Sequence, residues 1–141
     1  MKAAFILLTS LLLFLLGCGS TENTASSKNM FVENATFKSW SEPPSAGSDI
    51  PERGIDLTIS VRNWPQGYEP QHIVYNKRKS FGAEITDRTE TEVIIEARII
   101  QASSVIAETS ESTEASDRLV FATSEREKGY IEINNWQKTK E

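Results

Sequence analysis

A single cysteine and a single histidine in 141 residues leave this chain little with which to do covalent chemistry. Cys18 has no second thiol to meet, so a disulfide within the chain is excluded. Any Ser-His-Asp or Cys-His nucleophile would have to be built on His72, and no Gly-x-Ser-x-Gly elbow supplies a serine to go with it. A zinc site of the His/Cys kind is starved of ligands in the same way. Positive charge is also short, because 15 Lys and Arg stand against 20 Asp and Glu for a formal net charge of −5. Phosphate binding needs a clustered basic surface, and the only basic run is Lys77, Arg78 and Lys79, so nucleic acid is not an expected partner. Neither an enzyme nor a cofactor protein is expected from this composition. Internal repeats are absent, and no long apolar run occurs after Leu16.

What is present is an address. Residues 1–17 have the three parts of an export signal: a basic start at Lys2, an apolar core from Ala3 to Leu16, and small residues before a processing point. The core falls short of the roughly 20 apolar residues of a membrane-spanning helix and contains Thr9 and Ser10. Its end, Leu15-Leu16-Gly17-Cys18, resembles at every position the lipobox of bacterial lipoproteins: aliphatic, tolerant, small, cysteine. The resemblance implies a diacylglyceryl thioether on Cys18, cleavage just before it, acylation of the new amino terminus, and a protein held to a bacterial membrane by lipid. A small residue at Gly17 lets the peptidase approach the bond, and the Cys18 thiol accepts the lipid. Each buried methylene is worth about 0.8 kcal/mol, and two or more chains give stable anchoring. Position 19 is Gly and not the Asp that retains many such proteins at the inner membrane, so the outer membrane is favoured if the cell is Gram-negative. An ordinary secretory signal cut near Gly19 or Ala25 is the alternative.

Behind the signal, residues 18–29 are rich in Ser, Thr and Asn with little to bury, which predicts a flexible tether after the lipidated cysteine. Residues 30–141 are the right length for one domain. Ile55, Leu57, Ile59 and Val61 alternate with Asp56, Thr58 and Ser60, the period of a half-buried strand. Val93 to Ile100 is rich in β-branched residues, with Val93, Ile95, Ala97 and Ile99 on one side and Ile94, Glu96, Arg98 and Ile100 on the other. Further strands are predicted at Val32–Trp40, Ile73–Tyr75, Lys79–Ile85, Leu119–Ala122 and Tyr130–Ile133, with a turn at Asn76-Lys77. Pro43, Pro44, Gly47 and Pro51, then Pro65, Gly67 and Pro70, mark connections. About seven short strands spaced by turns predict an all-β fold, an antiparallel, immunoglobulin-like β-sandwich. The span 92–111 contains no Gly or Pro and could also be drawn partly as helix, especially from Ser103 onward.

The candidate sites are few. Trp40, Trp64 and Trp136 could form an exposed aromatic row that stacks on sugar rings or anchors a partner, or could serve the core. Glu108, Glu111, Glu114 and Asp117 recur every third residue, but the spacing matches no calcium loop. Glu90 and Glu92 have no fixed separation for glycosidase chemistry. Lys77, Arg78 and Lys79 suit a wet hairpin tip or an anionic ligand. Asn34-Ala35-Thr36 spells a glycosylation sequon that has no expected use behind a bacterial leader. The functional expectation is a lipid-anchored envelope protein that binds or scaffolds a partner. Glycan recognition through the aromatics is the first alternative, and hydrolysis through His72 with carboxylates the second.

Overall fold

The computed structural model describes residues 29–104 and 106–140. The leader, the lipobox with Cys18 and nearly all of the tether lie outside the described residues. Among the described residues the fold is all-β, with nine strands and no helix. In chain order they are β1 (Phe31–Glu42), β2 (Glu52–Arg62), β3 (Glu69–Tyr75), β4 (Arg78–Lys79), β5 (Glu84–Arg88), β6 (Glu92–Ala102), β7 (Arg118–Ala122), β8 (Lys128–Glu132) and β9 (Gln137–Lys138). They form a five-stranded sheet, β5-β6-β2-β1-β9, and a four-stranded sheet, β4-β3-β7-β8. Every pairing is antiparallel except the two-residue parallel contact of β9 with β1.

Alternation drives the architecture. Cross-strand register aligns Ile55 with Ile99, Leu57 with Ala97, Ile59 with Ile95 and Val61 with Val93, so the apolar sets of β2 and β6 share one face. Phe37 and Ala35 of β1 join them opposite Leu57 and Ile59. From the smaller sheet, Ile73, Leu119 and Phe121 are fully buried in the same core. Burying one such side chain is worth roughly 1.5–3 kcal/mol, and no disulfide assists. Two aromatic groups extend the core. Trp64 and Tyr68 pack on Phe121, with ring centroids 5.6 and 5.4 Å away, while Tyr75 lies between Phe37 at 5.5 Å and Trp136 at 4.9 Å.

The turn expected at Asn76-Lys77 is present, and both residues have positive φ, 48° and 60°, as a type I′ hairpin requires. The expected strand Lys79–Ile85 is not a single element. It divides into β4 and β5, which belong to different sheets. Ser80 makes the crossing: its buried hydroxyl accepts the Ile73 amide at 2.9 Å and donates to the Gly82 carbonyl at 2.8 Å. The undecided span 92–111 is strand to Ala102 and irregular beyond. There Thr109 is buried and donates twice to the Ile100 carbonyl, from its amide at 3.0 Å and its hydroxyl at 3.1 Å.

Candidate functional site

The outer face of the five-stranded sheet is built from the residues that alternate with the core set. Asp56 of β2 stands between Lys38 of β1 and Arg98 of β6, and Thr58 between Thr36 and Glu96. Glu84 of β5 is directly opposite Glu96. These side chains line a concavity of about 460 Å³ together with Thr139. Beside it lies a second, about 390 Å³, whose floor and walls include Phe81, Ala83, Ile100 and Ile106 and which shares Glu84, Glu96 and Arg98 with the first. Phe81 and Ile106 remain 61 % and 53 % exposed.

One end of the face is fixed by a compact assembly. Gly54 has no side chain, and the Trp40 indole occupies the space above it, with Cζ2 2.6 Å from where a Cβ would sit. The Arg98 guanidinium lies over the Trp40 ring, 5.2 Å from its centroid, and makes a two-pronged ion pair with Asp56 at 2.6 and 3.1 Å. That pairing holds Arg98 still more firmly in its charged form. The other end is different. Glu84 and Glu96 form neither an ion pair nor a side-chain hydrogen bond among the described residues, and neither does Lys38 across the groove.

The three tryptophans do not share a surface. Trp64 is buried at 7 % exposure and donates its indole N–H to the Tyr68 carbonyl at 3.1 Å. Trp136 packs edge-on against Tyr75. Only Trp40 belongs to the outer face, and its ring is already engaged by Gly54 and Arg98. Of the two uses open to the tryptophans, Trp64 serves the core and the three do not assemble as an exposed row.

His72 is on the outer face of the smaller sheet, half-buried, opposite Val120. Burial first, then the cations Lys79 and Lys128, push its pKa below the ordinary histidine value, so the ring is neutral at pH 7. It makes no hydrogen bond among the described residues, so nothing there orients it as a base. The acidic series 108–117 is dispersed onto separate partners. Glu108 faces Arg78 at 3.9 Å, Glu114 pairs with Arg118 at 2.9 Å, and Asp117 accepts the Asn76 amide at 2.9 Å. No group of three or more metal-ligating side chains occurs among the described residues. Glu92 accepts a hydrogen bond from Ser60, which gives it a structural duty.

The groove was within reach of the sequence only in part. Asp56, Thr58, Glu96 and Arg98 are legible as polar faces of two strands, but nothing in the chain says that those strands are neighbours. Comparison with family models, with curated proteins and with solved structures finds no match to this chain.

Proposed function

We propose that this chain is a lipid-anchored protein of the bacterial cell envelope, held by Cys18, whose immunoglobulin-like sandwich binds or scaffolds an envelope partner and performs no catalysis. The groove on the outer face of the five-stranded sheet carries the binding half of this reading. It combines a rigid rim at Trp40, Arg98 and Asp56 with unpaired charges and an exposed apolar wall. A solvated face has no need of Phe81 and Ile106 standing more than half exposed beside it. The four-position lipobox match carries the anchoring half, and Gly19 favours the outer membrane in a Gram-negative cell. Glycan recognition has less support, because Trp64 is in the core and Trp40 is covered. Hydrolysis through His72 has less still, with no hydrogen-bond partner on its ring among the described residues.

Anchoring is tested by growing cells with labelled fatty acid. The native chain takes up label and sediments with membranes, whereas Cys18→Ser takes up none and is released. Label retained by Cys18→Ser contradicts the anchor.

A further inference from the structure

We propose that the groove receives a segment of a partner polypeptide in which a lysine or arginine stands close to an apolar side chain. This deepens the binding reading above and rests on it. Glu84 and Glu96 are directly opposite one another on neighbouring strands. Like charges so placed sit roughly 4.5–5.5 Å apart at Cβ and repel unless a cation comes between them. Among the described residues no cation pairs with either carboxylate: Arg98, which lines both concavities, is committed to Asp56 and Trp40, and Lys38, two strands away from Glu96 on β1, reaches neither. A lysine ammonium or arginine guanidinium arriving from outside meets two acceptors at once. Phe81, Ile100 and Ile106 border the same carboxylates and offer an apolar neighbour of that cation somewhere to bury. Thr36, Thr58 and Thr139 provide hydroxyls along the groove for the polar groups of a backbone.

Other occupants fit less well. An anionic lipid surface is repelled by the Glu pair. A sugar ring finds only Phe81 to stack on, with no second aromatic face beside it, since the Trp40 ring already covers Gly54 and lies under Arg98. Addition of a partner strand to the edge of β5 is opposed by its bulge between Ile85 and Asp87 and by the charges of Asp87 and Arg88. The face, and not the edge, is the accessible surface.

The test uses the full lipidated chain, purified in detergent micelles and immobilised, against a display library of random peptides about twelve residues long and, in parallel, a glycan array. The expected result is a peptide pool in which Lys or Arg recurs within a few positions of Leu, Ile, Met or Phe. The leading peptide, made synthetically, should lose about tenfold or more in affinity for Glu84→Gln/Glu96→Gln and, separately, for Phe81→Ser, where tenfold corresponds to about 1.4 kcal/mol. Both variants are checked by thermal melting, and single Glu96→Gln carries the electrostatic arm if the double variant does not fold. A pool without basic–apolar bias, or a peptide indifferent to both variants, overturns the proposal while leaving a binding module elsewhere on the domain. Glycan binding that these variants abolish overturns it in favour of a carbohydrate occupant. Enrichment of nothing, on peptides and glycans alike, removes the binding reading together with it.

Discussion

Two single residues show how little slack the larger sheet has. A methyl group on Gly54 would meet the Ile99 carbonyl and the Trp40 indole, the latter at 2.6 Å, and the backbone oxygen cannot move aside without breaking β2–β6 register. Overpacking of this kind costs about 1–3 kcal/mol, so Gly54→Ala should lower the unfolding free energy by that much, seen as a lower urea midpoint, and displace Trp40, which a shifted fluorescence maximum would report. An unchanged midpoint would mean that Trp40 does not rest on this glycine. Glu52, at the start of β2, acts through charge. Its carboxylate takes hydrogen bonds from Ser103, from the amide and hydroxyl of Ser104 at 2.9 and 2.7 Å, and from Ser45 at 3.3 Å. These bonds favour the ionised form and lower its pKa from the ordinary 4.5 to about 2. A folded-state pKa below the unfolded one means that the stabilisation is present above 4.5 and is lost as pH falls toward 2. Melting temperatures of the native chain and Glu52→Gln should therefore differ at pH 6 and converge as pH falls toward about 2. A difference constant across that range would sever the link between Glu52 ionisation and the Ser45 and Ser104 loops.

Among the elements, the β3–β4 hairpin turns on an asparagine and a lysine, both left-handed. Asn tolerates that region, while a lysine Cβ there costs roughly 1–2 kcal/mol. Lys77→Gly should accordingly stabilise the domain, by up to about 1 kcal/mol after the added chain entropy of glycine, as measured by urea denaturation. A loss of stability would show that the Lys77 side chain has a role the backbone does not. This turn was legible because Asn76, a residue that tolerates the left-handed region, directly follows the apolar run Ile73 to Tyr75. The strands β2 and β6 were legible for local reasons too: Ile55 to Val61 alternates without a break, and Val93 to Ile100 is rich in β-branched residues. What was not legible depended on distant partners. Lys79 to Ile85 alternates plausibly as one strand, yet buried Ser80 carries the chain between sheets by bonding to Ile73 and Gly82. Gln137-Lys138 has no apolar signal at all and is a strand only because the exposed edge of β1 offers it a partner at Thr36 and Phe37. The groove belongs to this second kind. Glu84 is a surface glutamate until β5 brings it against Glu96, and Trp40 resembles any other tryptophan until Gly54 is found beneath it.

At the scale of the whole molecule, the groove occupies the middle of the larger sheet and its apolar wall lies toward the end away from Phe31. β1 begins at Phe31, paired with Arg62, and runs to Glu42, paired with Glu52. At about 3.3 Å per residue, its 12 residues separate Phe31 from the Trp40 end by some 30–40 Å. Gly54 sits beneath Trp40 and opposite Ile100, so the apolar wall with Phe81 and Ile106 lies toward that far end. If the proposed lipid on Cys18 holds the chain, the Phe31 end, which follows Asn29, would lie on the membrane side and the apolar wall would face outward, where a partner could approach without displacing lipid. The scarcity of cysteine makes this measurable, because Cys18 is the single cysteine of the sequence and its proposed acylation would leave an introduced thiol as the only reactive one. Fluorophores on Phe31→Cys and on Ile106→Cys, in protein bound to vesicles containing nitroxide-labelled lipid, should be quenched unequally, with position 31 the more strongly affected. Equal quenching would mean that the domain tumbles freely on its connection and that the groove meets partners without a fixed orientation. Stronger quenching at 106 would turn the apolar wall toward the bilayer and make lipid, not polypeptide, the neighbour of Phe81.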